Sequence, residues 1–174
     1  PWTTTTNSTT VPYTNYFAGS GGGYSPYNAQ PTYQTRIDTI TVPYRATPDV
    51  CMVGDPNTGL QIYYNGAFIY LGGTSLSTAL FAAVVAIANQ LRIAAGKGYL
   101  TSVDGAVTCQ LQTYLYHVIY FGNAPTPYKS CTAYCGNFYD IDNSNAGAYY
   151  AGNGYDMASG LGSPNVNILA KTLV

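Results

Sequence analysis

The sequence predicts an α/β fold in layers, and two observations support this prediction. Short apolar runs that predict strands occupy the first half of the chain, at Thr39 to Val42, Asp49 to Val53, Gln61 to Tyr64 and Ala67 to Leu71. A longer apolar stretch from Ser75 to Ile93 follows, and it is typical of a helix buried in a domain. Strands that lead into buried helices indicate a sheet covered by helices.

The remaining elements are predicted from turn and cap residues. Asn65-Gly66 between two apolar runs is a strong signal for a β-hairpin. A second helix is predicted from about Cys109 to Ile119, and a last one runs to Leu173 with Ser163 as its N-cap and Pro164 in its first turn. Residues 1–18 carry no periodic pattern, so we expect a loop or a flexible segment there.

The charge of the chain is low. Six basic and seven acidic residues give a net charge of −1, and all seven acids are Asp. No basic patch is present for nucleic acid, and no apolar run reaches the length of a membrane span. Few carboxylates are available to protonate at low pH, which suits an acidic exterior. A neutral, Tyr-rich secreted surface without any pH adaptation would have the same composition.

The cysteines point to an oxidising compartment. Four are present, at positions 51, 109, 131 and 135, and an even number fits two disulfides in any of three pairings. A zinc site is disfavoured because only one histidine accompanies them. The glycosylation sequon Asn7-Ser8-Thr9 is consistent with export. We therefore expect a secreted, extracellular protein.

The segment from Gly72 to Thr78 contains the strongest catalytic candidate, Ser75. This serine follows a predicted strand and opens a predicted helix, where unpaired backbone N–H groups and the helix dipole favour negative charge. Two glycines before it would let a peptide approach the backbone. The alternative is an ordinary helix cap, since Ser75, Ser77 and Thr78 could each serve as one.

A nucleophilic serine needs a general base, and the sequence offers none that fits. His117 is the only histidine, and its Tyr-rich helical surroundings favour a packing role over that of a base. The chain contains no Glu. We conclude that the chain either is not a hydrolase on its own or receives its base from another segment.

Several segments, taken together and in this order, resemble the sedolisin (serine-carboxyl peptidase) family. They cover most of the chain after residue 19 and comprise Gly19–Ser25, Arg45–Val50, Asp55–Gly59, Gly72–Ser75, Asn89-Gln90, Phe138–Ile141, Gly152–Asp156 and Ser159–Pro164. The resemblance implies a subtilisin-like layered fold with a parallel sheet, of which residues 19–174 would form the C-terminal half.

The resemblance also implies an acid-active peptidase in which Ser75 attacks the peptide carbonyl. A Glu supported by an Asp would take the proton of Ser75, and a protonated Asp would hold the oxyanion. These three acids would belong to an N-terminal half of the same precursor, which becomes the expected partner beside a peptide or protein substrate. Ala79 stands where the family usually has Pro. The alternative is therefore an inactive relative that serves as an extracellular structural, filament or surface-layer component.

The resemblance finally implies a calcium site near the end of the chain. Its ligands would be the side chains of Asp140 and Asp156 and the carbonyl oxygens of Ile141, Gly152 and Gly154. Calcium prefers six or more oxygen ligands of these kinds. By itself, a glycine-rich turn with two solvated Asp residues would explain the same pattern. Asp142 is interpreted as a residue outside the ligand set.

Overall fold

The computed structural model describes residues 3–6, 16–100, 110–120 and 136–174. Its strands are β1 (Thr3–Thr6), β2 (Tyr16–Gly19), β3 (Gly23–Ala29), β4 (Tyr44–Thr47), β5 (Leu60–Tyr64), β6 (Ala67–Leu71), β7 (Phe138–Tyr139), β8 (Asn145–Ala146), β9 (Tyr149–Tyr150) and β10 (Ser163–Pro164). Its helices are a 3-10 turn (Thr32–Gln34), α1 (Thr74–Ala94), α2 (Gln110–Thr113), a π-helix (Tyr114–Tyr120) and α3 (Val166–Thr172). The second helix was thus predicted nearly in place, although most of it is π-helical.

The β5–β6 hairpin confirms the turn prediction. Leu60 pairs with Leu71 and Tyr64 with Ala67, so the strands are in full antiparallel register. The two turn residues have positive φ angles, 49° at Asn65 and 81° at Gly66. A two-residue turn of this kind matches the right-handed twist of the strands, and Asn-Gly is the pair that adopts it most readily.

The strands of the described residues pair two by two, and every pair is antiparallel. The prediction of strands at Thr39 to Val42 and Asp49 to Val53 is wrong, because neither segment forms a strand. Ile37 and Ile40 both enter the core from a turn, and β4 forms after Pro43 to pair with β3. Among the described residues the segment at Asp49 makes two backbone hydrogen bonds, from the Leu161 N–H to the Asp49 carbonyl and from the Cys51 N–H to the Gly162 carbonyl. A parallel sheet needs neighbouring strands, and the described residues supply none here.

Two predictions near the chain ends are also wrong. Thr3–Thr6 pairs with Tyr16–Gly19, where a loop was predicted, and Thr, Tyr and Phe are residues that favour strands. Ser163 is not the cap of α3, because Ser163 and Pro164 pair with β7. The N-cap is Asn165, whose backbone N–H bonds the Asn137 carbonyl at 2.8 Å.

The core lies where the π-helix, α3 and the loop before β10 meet. Its most buried large side chains are Leu115, Tyr116, Phe138, Tyr155, Leu161, Leu169 and Leu173. Buried Arg92 joins the end of α1 to α3, because Nη1 donates to the Leu173 carbonyl at 2.8 Å and Nε to the Gly98 carbonyl at 2.7 Å.

Helix α1 is more exposed than the sequence predicts. Of its 21 residues only Val84, Ala88 and Arg92 are buried, whereas Ile87 is 46% and Ile93 47% exposed. Within the described residues α1 is long and apolar enough to span a membrane by length and composition, with a mean hydropathy of 1.5. Core helices of soluble proteins meet this criterion too, and the apolar residues of α1 are interrupted by polar ones, so its unbroken apolar run stays shorter than a membrane span.

Candidate active-site serine and metal loop

Ser75 lies at the second residue of α1, at the end of the β5–β6 hairpin. The chain leaves β6 at Leu71, passes through two glycines and enters the helix at Thr74. Ser75 is exposed. The strand–turn–helix placement predicted from the sequence is therefore present, and it holds a hydroxyl at the open end of the helix.

The two glycines before the serine are required for different reasons. A Cβ at Gly72 would collide with the backbone of Asp55 and Pro56, so the strand end packs directly on that turn. Gly73 has open space around it but adopts φ 126°, which side-chain-bearing residues rarely adopt. Asp55 stiffens the turn beneath, because its carboxylate accepts the Asn57 N–H and the Thr58 hydroxyl, both at 2.9 Å. The loop that carries Ser75 is therefore backed by an ordered turn.

The hydroxyl groups at the start of α1 are not equivalent. The Ser77 hydroxyl donates to the Val53 carbonyl at 2.8 Å, and the Thr78 hydroxyl donates to the Thr74 carbonyl at 2.9 Å. No side chain caps the helix, whose N-cap is Gly73. Within the described residues the Ser75 hydroxyl accepts and donates no hydrogen bond, so the capping alternative fails for this serine.

The backbone around Ser75 keeps donors available. The Gly73 carbonyl accepts the N–H groups of Leu76 and Ser77, at 3.0 and 3.2 Å. In the described part of the chain the N–H of Ser75 has no such partner, as is usual for the first turn of a helix. An N–H group in this position can donate to an oxyanion.

The described residues bring no base to Ser75. The Nε2 atom of His117 is buried and makes no hydrogen bond, so the only histidine of the chain is not paired with the serine. A cavity of about 510 Å³ lies between the start of α1, the segment around Val50 and helix α2, and Thr74, Ser77 and Thr78 line it whereas Ser75 does not. Its wall includes Asp49, whose carboxylate is engaged elsewhere.

Asp49 is the centre of a partly buried polar network. Its Oδ2 atom lies 2.6 Å from Nη2 of Arg45, and its Oδ1 atom accepts the Tyr116 hydroxyl at 2.7 Å. Gln34 donates to Tyr116 at 3.0 Å and holds the backbone of β4 at Ala46. Tyr116 lies 67 residues from Asp49 along the chain, and no sequence pattern indicated this contact.

We expect Tyr116→Phe to lower the free energy of unfolding by roughly 1–3 kcal/mol, because the charged carboxylate of Asp49 loses the hydrogen bond that the Tyr116 hydroxyl donates to it. Burial, followed by the charge of Asp49, raises the pKa of Tyr116. The folded state thus favours the neutral phenol. The contribution of Tyr116 to the free energy of unfolding is therefore present below the pKa of Tyr in the unfolded chain, about 10, and is lost as the pH rises above it. Urea titration of the full-length protein should show the gap between variant and wild type narrowing above about pH 10. Exposed Tyr63→Phe is the control and should change little.

In the segment from Asp140 to Asp156, each of the two predicted carboxylates accepts a hydrogen bond from a glycine of the predicted ligand set. The Gly154 N–H donates to Oδ2 of Asp140 at 2.9 Å, and the Gly152 N–H donates to Oδ2 of Asp156 at 3.0 Å. The other oxygen of Asp156 accepts the N–H groups of Ala158 and Ser159, at 2.9 and 2.7 Å. Asp142 is exposed, outside this arrangement.

The carboxylate and carbonyl oxygens of this loop are metal ligands of the kind that a hard cation prefers. Within the described residues the carbonyl oxygens of Ile141, Gly152 and Gly154 accept no hydrogen bond, so they are available as ligands. Carboxylates retain lone pairs beyond those used by one N–H. No cluster of three or more His, Cys, Asp or Glu side chains occurs in the described ranges, so a site here would depend on backbone carbonyls. That composition excludes zinc and matches calcium.

The disulfide prediction fails at one position. Cys51 is half-buried and unpaired, and burial raises the pKa of its thiol. The other three cysteines and the sequon at Asn7 lie outside the described residues.

Comparisons with known proteins identify relatives. No model of a known protein family matches the chain. It is 34% identical to kumamolisin of Bacillus sp. (strain MN-32) over an alignment of 151 positions, and this alignment covers 83% of this chain and 24% of that protein. It is 29% identical to physarolisin of Physarum polycephalum over 181 residues (94% and 29%), and 28% identical to human tripeptidyl-peptidase 1 over 171 residues (89% and 27%).

A solved structure supports the fold. Pseudomonas sedolisin, a serine-carboxyl proteinase complexed with two molecules of pseudo-iodotyrostatin, superposes with a TM-score of 0.67 at 23% identity. The match covers 97% of this chain and 39% of that one, which confirms the predicted subtilisin-like fold class. This chain spans about a quarter of the length of its curated relatives. Over most of its length the chain is thus similar to peptidases of the sedolisin family, and it has a subtilisin-like fold.

Proposed function

We propose that this chain is the serine-bearing part of a secreted, acid-active peptidase, with Ser75 as its nucleophile. The observation that carries the proposal is the difference among hydroxyls at the start of α1. Ser77 and Thr78 are bonded to backbone carbonyls, whereas Ser75 is exposed and unbonded within the described residues. The relatives named above are peptidases of this family, and their identity with this chain extends over most of its length.

The chemistry assigned to this chain is nucleophilic attack by the Ser75 oxygen on the carbonyl carbon of a peptide. The N–H of Ser75 would donate to the oxyanion that forms, since it has no helical partner. The proton of the serine must leave, and neither His117 nor any Glu of this chain can accept it. A Glu supported by an Asp, in the N-terminal half of the same precursor, would take it. A protonated Asp from the same half would share the oxyanion.

The surface of the chain supports a partner of that kind. Ile87 and Leu91 of α1 are both more than a third exposed, and because they are four residues apart they lie on one face of the helix. In the described ranges the backbone groups of Val50 and Met52 have no hydrogen bond, and both residues line the cavity beside α1. Unpaired strand edges and apolar faces are surfaces that further strands and helices cover.

The same proposal includes calcium in the loop that ends at Asp156. Asp140 and Asp156 would provide carboxylate oxygens, and Ile141, Gly152 and Gly154 would provide carbonyl oxygens. When bound, the ion would supply positive charge that holds the loop on the core, and it would take no part in the peptide hydrolysis. An inactive extracellular relative remains the alternative function, and Ala79 is the observation that favours it. Both functions are consistent with a location outside the cell.

We expect the isolated 174-residue chain to cleave no peptide at acid or neutral pH, because its serine has no base. The full-length protein, or this chain mixed with its N-terminal half, should cleave a fluorogenic peptide library at acid pH. The matched control is an N-terminal half in which the general-base Glu is replaced by Gln, and it should restore folding without activity. Turnover by the isolated chain would refute the missing-base argument. A full-length protein without any turnover would favour the inactive relative.

A further inference from the structure

The π-helix Tyr114–Tyr120 contacts the candidate metal loop through its last residue. Tyr120 is 7% exposed, and its hydroxyl accepts the backbone N–H of Tyr155 at 3.2 Å. A Cβ placed on Gly154 would lie 2.5 Å from the same hydroxyl. The Tyr120 hydroxyl thus lies directly against the peptide that joins Gly154 to Tyr155.

This contact determines the orientation of a carbonyl group. The Gly154 C=O and the Tyr155 N–H belong to one planar trans peptide and point in opposite directions. Because the N–H is directed at Tyr120, the Gly154 oxygen is directed away from it. The N–H of Gly154 is held separately by Asp140 at 2.9 Å, so the peptides on both sides of Gly154 are constrained. The residue between them has φ 86°, a conformation that glycine adopts without strain.

We propose that Tyr120 is a positioning residue for the calcium loop. Its hydroxyl orients the peptide so that the Gly154 carbonyl oxygen faces the ion, and Tyr120 is not itself a ligand. The inference rests on the calcium site proposed above. Tyr155 is almost fully buried, so its N–H has no access to water as a substitute acceptor. Removal of the Tyr120 hydroxyl therefore frees the peptide to rotate and misdirects one ligand.

The test is calcium titration of the full-length protein by isothermal calorimetry, for wild type, Tyr120→Phe and Tyr116→Phe. Outer-shell partners of metal ligands typically change affinity by 10–100-fold, so we expect Tyr120→Phe to weaken calcium binding by about 10-fold or more. Tyr116→Phe is the matched control, because it removes a buried hydroxyl of the same π-helix that donates to Asp49, and it keeps the aromatic ring that packs against Tyr155. It should lower stability and leave the dissociation constant for calcium unchanged.

The outcomes separate the role of Tyr120 from the site itself. An unchanged affinity in Tyr120→Phe, or equal weakening in both variants, would overturn the role of Tyr120 and leave the site intact. A wild-type protein that binds no calcium would overturn both. Amide hydrogen exchange of wild-type Tyr155 gives a measurement that needs no variant. Calcium should slow this exchange, and an exchange rate indifferent to calcium would contradict the proposal.

Discussion

Replacement of Ser75 by Ala should reduce the peptidase activity of the full-length protein by about three orders of magnitude or more. The variant loses the oxygen that attacks the peptide carbonyl, whereas substrate contacts and the remaining oxyanion donors stay in place. Because Ser75 is exposed and its hydroxyl makes no hydrogen bond within the described residues, the melting temperature should hardly change. Initial rates on a fluorogenic peptide at acid pH, together with thermal melting, measure both quantities.

The matched control for this variant is Ser77→Ala. Ser77 is two residues further along α1, and its hydroxyl is bonded to the Val53 carbonyl at 2.8 Å. Its removal should lower stability by about 1 kcal/mol and leave most of the activity. Ser75→Ala should thus lower the rate of peptide cleavage and leave the stability unchanged, whereas Ser77→Ala should lower the stability and leave most of the rate. Near-normal turnover by Ser75→Ala would show that the nucleophile lies elsewhere.

Removal of calcium is expected to produce the largest change in stability. A chelator should lower the melting temperature of the full-length protein at mildly acidic pH, since the ion binds the folded loop and not the unfolded chain. Asp156→Asn should reproduce much of that loss and abolish the further effect of the chelator. Both carboxylates must be ionised to bind the ion, so protons compete with calcium. The calcium-dependent stability should therefore be present at neutral pH and fade as the pH falls.

The control for Asp156→Asn is Asp142→Asn. Asp142 lies in the same loop-rich stretch but is exposed and makes no contact with Gly152 or Gly154. Its replacement changes the net charge by the same amount, so it separates loss of a ligand from loss of a charge. A melting temperature that is indifferent to chelator in the wild type would argue against the site. Equal effects of the two substitutions would do so as well.

Local signals in the sequence were sufficient for the elements that surround the serine. Asn65-Gly66 specified the hairpin turn. The apolar stretch from Ser75 to Ile93 specified helix α1, which spans Thr74–Ala94. In each case the interacting groups are near neighbours along the chain, so residue type and spacing were enough.

Contacts between distant segments could not be predicted in this way. Tyr116 is 67 residues from Asp49, and no pattern in either segment indicates that they meet. The segment at Asp49 has the apolar character of a central strand, yet among the described residues no strand lies beside it. In the same part of the chain α1 has the composition of a buried helix and the exposure of a surface one. Composition alone therefore did not predict the environment of either segment.

The β5–β6 hairpin has a consequence for the colloidal behaviour of the chain. Leu60 to Leu71 contains neither a charged residue nor proline, and Tyr63, Phe68 and Tyr70 stand more than 60% exposed along one face. Short uncharged segments of high β-propensity with open edges are the ones that stack into cross-β fibrils. Nothing in the hairpin titrates at acid or neutral pH, so acidification adds no charge within this segment. Fibril formation by an unassembled chain should therefore start at this hairpin.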